Sequence, residues 1–195
     1  MYQFFVEPSQ IQGNRIVITG SDVNHIKNVL RMKPGEEIAV SNGTDGKEYR
    51  CGIEELLEEE VICTLRFIKE DGLELPARVT FFQGLPKADK MEFIVQKAVE
   101  LGVSRIVPYL SKNCVSRPDK TEKKVERWRK IAAEAAKQCG RGRLPEVAAV
   151  VPVAQAIAQA AESETALFFY ENERRTGLRD ALAGGVRDTV SLMVG

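Results

Sequence analysis

Two lysines bracket a predicted helix start in Gln83-Gly84-Leu85-Pro86-Lys87-Ala88-Asp89-Lys90-Met91-Glu92. Free backbone N–H groups, the positive end of a helix dipole and two ammonium groups would converge there, which suits a phosphate. The glycine spacing is not that of a Walker loop. Taken alone, the same residues also describe an ordinary strand-to-helix turn with two solvated lysines. The charge around them is uneven: Lys87 to Arg143 holds 15 Lys and Arg against 7 Asp and Glu, and the remainder holds 13 against 21. Because the whole chain balances 28 against 28, a generic basic coat for nucleic acid is excluded, and the clustered cations become a local footprint for phosphate. A solvated helix face would give the same count.

Other reactive residues are sparse. His25 is the only histidine, so chemistry that needs two imidazoles is excluded and a Ser or Cys triad has a single candidate. The cysteines at 51, 63, 114 and 139 form no CxxC clip and have no neighbouring histidine, which argues against zinc and for thiols in a reducing compartment. No metal is expected. Tyr170 and Glu171 close one apolar strand-like segment, and Met193, Val194 and Gly195 close another. In open α/β sheets ligands lie beyond the carboxyl ends of strands, and the segment ending at Gly195 stops at such an end; strand-end packing is the plainer explanation for all five residues.

The elements that must position these groups fall into two sets. Residues 1–70 read as short strands, Phe4 to Val6, Arg15 to Thr19, Glu37 to Ser41, Lys47 to Ile53 and Val61 to Phe67, the pattern of a small barrel. Asn42-Gly43-Thr44-Asp45-Gly46 is hairpin chemistry between two of them, and the acidic run Glu54 to Glu60 reads as a solvated turn. One helix interrupts: Ser21 or Asp22 would cap it, Val23, Ile26, Val29 and Leu30 form its apolar stripe, and Lys33-Pro34-Gly35 stops it. His25 and Arg31 ride on this helix.

Residues 71–76 are polar, end at Pro76 and read as a linker. From 77 to 195 strand-like and helix-like segments alternate, which predicts a parallel sheet covered by helices. Asp89 and Glu92 have capping-box spacing at the head of a helix whose apolar face is Met91, Ile94, Val95, Ala98 and Leu101 and whose stop is Gly102. A second helix over Lys120 to Gln138 buries Val125, Trp128, Ala132, Ala135 and Cys139, while Lys123, Arg127, Lys130, Lys137 and Arg141 line another face. The basic surplus becomes a stripe. No apolar run reaches the ~18 residues of a bilayer span, and Met1 to Glu7 lacks the features of a secretory signal, so a cytoplasmic chain with no membrane partner is expected.

Gln83 to Lys90, continued by Met91-Glu92-Phe93-Ile94-Val95-Gln96-Lys97-Ala98-Val99-Glu100-Leu101-Gly102-Val103, resembles the signature of the bacterial 16S ribosomal RNA uridine N3-methyltransferases of the SPOUT class. His25-Ile26-Lys27-Asn28-Val29-Leu30-Arg31 with Pro34-Gly35 is similar to the family's first-domain helix, and the stretch Arg127 to Arg141 resembles its basic helix. Ala88, Asn113 and Gln3 depart from the family pattern. The resemblance implies a two-domain α+β fold, an N-terminal PUA-like β-barrel followed by an α/β SPOUT domain of the trefoil-knot type. It implies S-adenosyl-L-methionine as cofactor, 16S ribosomal RNA of the small subunit as partner, and a homodimer. Tyr170, Glu171, Met193, Val194 and Gly195 match the ends of two strands in the family's cofactor pocket. His25, Arg31, Lys87, Lys90, Arg127, Lys130, Lys137 and Arg141 are the residues expected on RNA. The family continues beyond Gly195 with a Pro-Glu-Gly-Gly loop and a final helix that form the knot, so the knot region is expected to be absent from this chain, which would then bind cofactor weakly and be inactive.

The implied chemistry suits the residues present. Methyl transfer from a sulfonium to nitrogen is an in-line displacement that needs neither metal nor protein nucleophile. The uracil imide must lose its proton, and a nearby cation would stabilise the anion. His25, Glu171 and an arginine of the stripe are candidates for assisting, and the catalytic base is left open. The alternative function is a non-enzymatic RNA-binding or ribosome-assembly protein of the same architecture.

Overall fold

The computed structural model describes residues 1–70, 74–87, 90–111, 121–185 and 187–195. The chain divides into two compact units, one built from Met1–Glu74 and Ala136–Leu144, the other from Leu75–Ala135 and Pro145–Gly195. The expected cap Asp89, the variant positions Ala88 and Asn113, Cys114, Lys120 and the centre of the expected linker at Gly72 lie outside the described residues.

In the first unit six strands, β1 (Gln3–Phe5), β2 (Ile11–Gln12), β3 (Arg15–Thr19), β4 (Glu37–Ser41), β5 (Glu48–Leu56) and β6 (Glu60–Lys69), form one sheet in the order β1-β4-β5-β6-β3-β2. All neighbours are antiparallel except β1 and β4. Register shifts between Arg50 and Cys51 and between Ile53 and Glu55 bend the long β5–β6 pair, since bulges add local twist, and the sheet curls in the manner of a barrel. Phe4, Ile16, Ile18, Ile26, Ile38, Val40, Val61 and Cys63 fill its interior.

The helix of this unit corrects two expectations. Gly20, at φ 74°, forms the entry turn, and Ser21 and Asp22 lie inside helix α1 (Ser21–Asn24) without capping it. The helix then widens into a π turn over His25–Val29. A π turn holds one extra residue, so the 3.6-residue stripe slips out of phase: Val23 and Ile26 are buried, whereas Val29 is 64% exposed.

The second unit begins with β7 (Arg78–Gly84), α2 (Lys90–Glu100) and β8 (Arg105–Leu110). It continues with α3 (Thr121–Cys139), β9 (Glu146–Val147), β10 (Val151–Pro152) and α4 (Val153–Ala160), and ends in β11 (Thr165–Phe169), α5 (Leu178–Ala181) and β12 (Thr189–Val194). The sheet is parallel throughout in the order β10-β8-β7-β12-β11, with β9 also on β8. The fold is therefore the expected pairing of a PUA-like barrel with an α/β domain. Helix α4 carries the chain from one edge of the sheet toward the other, packing on β10, β8, β7 and β12. Phe82, Val107 and Met193 meet Ala156 and Ala160 beneath it.

Helix α2 buries Met91, Val95, Ala98 and also Val99, and Gly102, at φ 95°, ends it: Val103 N–H donates to Ala98 O and Gly102 N–H to Val99 O. Leu101 sits at that turn and is exposed rather than on the core face. Helix α3 buries Val125, Trp128, Ala132 and Ala135 as expected. Gly140, at φ 76°, closes it with the same pair of hydrogen bonds, Arg141 N–H to Ala136 O and Gly140 N–H to Lys137 O. Arg141 thus lies beyond the helix, not on its basic face.

Candidate cofactor cavity and basic surface

A cavity of about 1180 Å³ opens at the carboxyl ends of β8, β11 and β12, between α4 and α5. Its position follows from the topology. Crossover helices cover the faces of a parallel sheet, but the strand ends leave backbone groups and end-of-strand side chains uncovered. Tyr170, Glu171, Met193, Val194 and Gly195 all line it, so residues more than twenty apart in sequence are brought together by the β11–β12 pairing, in which Phe168 faces Met193 and Phe169 faces Val194.

The walls are largely apolar. Ile157 of α4, Phe168 and Tyr170 of the β11 end, and Leu178 of α5 are each more than half exposed on it. The rings of Phe168 and Tyr170 stack at 6.4 Å with an interplanar angle of 12°. Glu173, on the rim, accepts hydrogen bonds from the backbone N–H groups of Arg175 and Thr176, which hold its carboxyl below the usual range and keep it charged. Tyr109, Ile157 and Phe168 were not among the candidates from sequence. Their one signal was register: each sits level with a predicted strand end or on the helix that crosses it.

The eight residues expected on RNA do not form one set. Lys87 and Lys90 are exposed at the start of α2. On α3, Lys123, Lys124, Arg127 and Lys130 are exposed, and Arg127 donates to Glu92 of α2 at 2.8 Å. Arg129 is turned away, its Nε donating to Val147 O at 3.0 Å. Lys137 pairs with Asp22, Nζ to Oδ1 at 3.2 Å. Arg141 is 2% exposed and grips Glu74 in the first unit, so it is removed from the exposed stripe.

In the barrel unit His25 is exposed, with its ring edge-on to Phe4 at 6.1 Å. Arg31 is exposed and has φ 54°, the one positive φ outside glycine among the described residues. Backbone held in that region is costly and clusters at functional sites. The buried thiols offer no nucleophile: burial pushes Cys51 up to about 12, and burial together with neighbouring Cys51 does the same to Cys63.

A parallel α/β sheet with a cavity at its strand ends, in one chain with a curled, mostly antiparallel barrel, is the architecture of a two-unit ligand-binding protein. Residues 73–195 match the RNA methyltransferase domain family and residues 18–66 the RNA methyltransferase PUA domain family, and the chain belongs to that RNA methyltransferase family. Its relatives carry a more particular name. The ribosomal RNA small subunit methyltransferase E of Bacillus subtilis (strain 168) is 35% identical over 182 residues, covering 91% of this chain and 71% of that one. The protein of the same name from Aquifex aeolicus is 30% identical over 173 residues, covering 88% and 72%. A crystal structure of the Neisseria gonorrhoeae ribosomal RNA small subunit methyltransferase E bound to S-adenosyl methionine superposes with a TM-score of 0.84 at 27% identity, covering 100% of this chain and 78% of that one.

Proposed function

We propose that the strand-end cavity is a site for S-adenosylmethionine, held only weakly by these 195 residues, and that the methyl group it carries is directed to N3 of a uridine in 16S ribosomal RNA of the small subunit. The observation that carries the reading is the convergence of Tyr170, Glu171, Met193, Val194 and Gly195 on one apolar cavity at the carboxyl ends of a parallel sheet. The residues suit such a ligand. Aromatic and aliphatic walls match an adenosyl group, strand-end backbone can hydrogen-bond its polar edges, and the carboxylates of Glu171 and Glu173 complement a cationic sulfonium and ammonium.

When bound, the cofactor supplies an electrophilic methyl group on sulfur. The chain's part is to hold it, exclude water and bring the RNA to it. Lys87, Lys90, Arg127 and Lys130 on the methyltransferase unit, and His25 and Arg31 on the barrel unit, are assigned to RNA, chiefly its phosphates. Lys and Arg along a helix neutralise backbone charge without presenting a base-edge pattern. The reading includes a homodimer and a cytoplasmic site beside the ribosome; no described helix is long and apolar enough to cross a membrane.

The test incubates the chain with methyl-labelled S-adenosylmethionine and unmodified small-subunit RNA, followed by nucleoside mass spectrometry and light scattering for the dimer. Transfer by these residues is expected to be slight, with what label there is in 3-methyluridine. Label in another nucleoside would overturn the position, and tight RNA binding without transfer would favour the ribosome-assembly alternative.

A further inference from the structure

Tyr109, the penultimate residue of β8, is 2% exposed, and its hydroxyl reaches past the neighbouring strand. It crosses β7, which lies between β8 and β12 in the sheet, and donates to the carbonyl of Val194 on β12 at 3.0 Å. The β7 residue beneath it is Gly84. A Cβ there would lie 3.4 Å from Tyr109 Cζ and Oη and 3.2 Å from Gly195 Cα. The main chain of β8 and β7 is tied at the same level, Leu85 N–H donating to Tyr109 O at 3.0 Å. Three strand ends are thus fastened by one phenol lying over one glycine.

This strut stands on the wall of the cavity, which Tyr109, Val194 and Gly195 all line. Strand β12 ends at Val194, so the direction of the chain beyond it is set by what holds that last carbonyl. We infer that Tyr109 is a positioning residue for the cofactor: by holding Val194 across Gly84 it fixes the backbone wall against which the cofactor seats. The inference rests on the reading of the cavity as the S-adenosylmethionine site. It adds a residue that need not react, and whose removal acts through the end of β12.

Calorimetric titration of S-adenosylmethionine into the 195-residue chain, and into Tyr109→Phe, Gly84→Ala and Val107→Ala, tests it. Val107 is buried under α4 on the same strand and is no part of the cavity wall, so Val107→Ala reports general loosening of the sheet. Tyr109→Phe should raise Kd about three- to tenfold, the worth of one hydrogen bond. Gly84→Ala, which wedges a methyl group between Tyr109 and Gly195, should raise it at least as much. Val107→Ala should leave it unchanged. The carbonyl carbon resonance of Val194 should move in Tyr109→Phe, with the barrel resonances in place. Wild-type affinity in Tyr109→Phe, or equal weakening in Val107→Ala, overturns the positioning role and leaves the cofactor reading standing. No binding by the unaltered chain overturns the cofactor reading itself, and the positioning role with it.

Discussion

Arg141 and Glu74 meet in a two-pronged ion pair, Nε to Oε1 at 3.2 Å and Nη2 to Oε2 at 2.5 Å, with side chains only 3% and 15% exposed. Glu74 Oε1 also accepts the N–H of Arg143, and Arg141 O accepts Gln3 Nε2 at 2.8 Å. The segment after α3 is therefore stitched into the barrel unit on both sides of Arg141. Removing one partner of a buried pair leaves an uncompensated charge, which costs about 3–5 kcal/mol. Glu74→Ala should approach that range, because the guanidinium that loses this carboxylate is the deeper of the two groups. Arg141→Ala should cost less, since Glu74 keeps the Arg143 N–H and lies nearer water. Urea unfolding of the two variants measures the difference; equal, small losses would show that the pair contributes little.

Phosphate contact by α3 predicts a salt effect. Each lost contact removes about 0.7 to 0.9 from the slope of log affinity against log salt. Lys130→Ala should lower the slope for ribosomal RNA by one such contact, and Arg127→Ala with Lys130→Ala by roughly 1 to 2. Arg127 is shared with Glu92, so its own share should be the smaller. Filter binding at several salt concentrations gives the slopes, and an unchanged slope in the double variant would remove α3 from the RNA surface.

Much of this arrangement could be read from residue order. Strands β3 and β4 have the predicted bounds because each is a short apolar segment closed by turn residues, and Gly102 stops α2 because a left-handed residue is needed there. The five strand-end residues of the cavity were named through the family resemblance, since the residues by themselves read as strand-end packing. Other features left no such trace. A π turn adds one residue without changing composition, so the exposure of Val29 was hidden. Arg141 fell in phase with Lys130 and Lys137 on a helix extended past Gly140, although that glycine reverses the chain and drives Arg141 into the barrel. Tyr109 read as one more apolar strand residue, because its role depends on Gly84 lying beneath it, a fact of the sheet order.

The barrel core should lose stability in alkali. Burial pushes the Cys51 thiol from 9.0 up to about 12, and burial with Cys51 nearby does the same for Cys63. Burial, and then the Asp45 carboxylate that accepts its hydroxyl at 2.7 Å, raises Tyr49 from 10.0 to about 12. Between pH 9 and 12 the unfolded chain releases protons that the folded chain keeps, so stability is whole below pH 9 and falls as pH rises through that window. Urea midpoints from pH 8 to 11 should decline, and Cys63→Ala should flatten the decline. An equally steep decline in that variant would mean that the thiols are not its cause.

The barrel should fold without the methyltransferase unit. The main apolar cluster lies between Phe4 and Cys63, so a fragment of residues 1–74 keeps that cluster and loses the stitching to residues 136–144. That stitching includes Arg141 and the Arg143 N–H on Glu74, Lys137 on Asp22, Gln3 on the Arg141 carbonyl and the Leu144 N–H on Gly43 O. The fragment should unfold cooperatively with well-dispersed amide resonances, at a lower urea midpoint than the barrel signals of the intact chain. Glu74→Ala then becomes a discriminating change. In the intact chain it takes a carboxylate from the buried Arg141 and costs about 3 kcal/mol. In the fragment Arg141 is gone, Glu74 is a solvated terminal carboxylate, and the same substitution should fall within about 0.5 kcal/mol of no effect. Equal losses in both contexts would mean that Glu74 supports the barrel directly rather than through Arg141, and a fragment with collapsed, undispersed spectra would mean that residues 136–144 are part of the core itself.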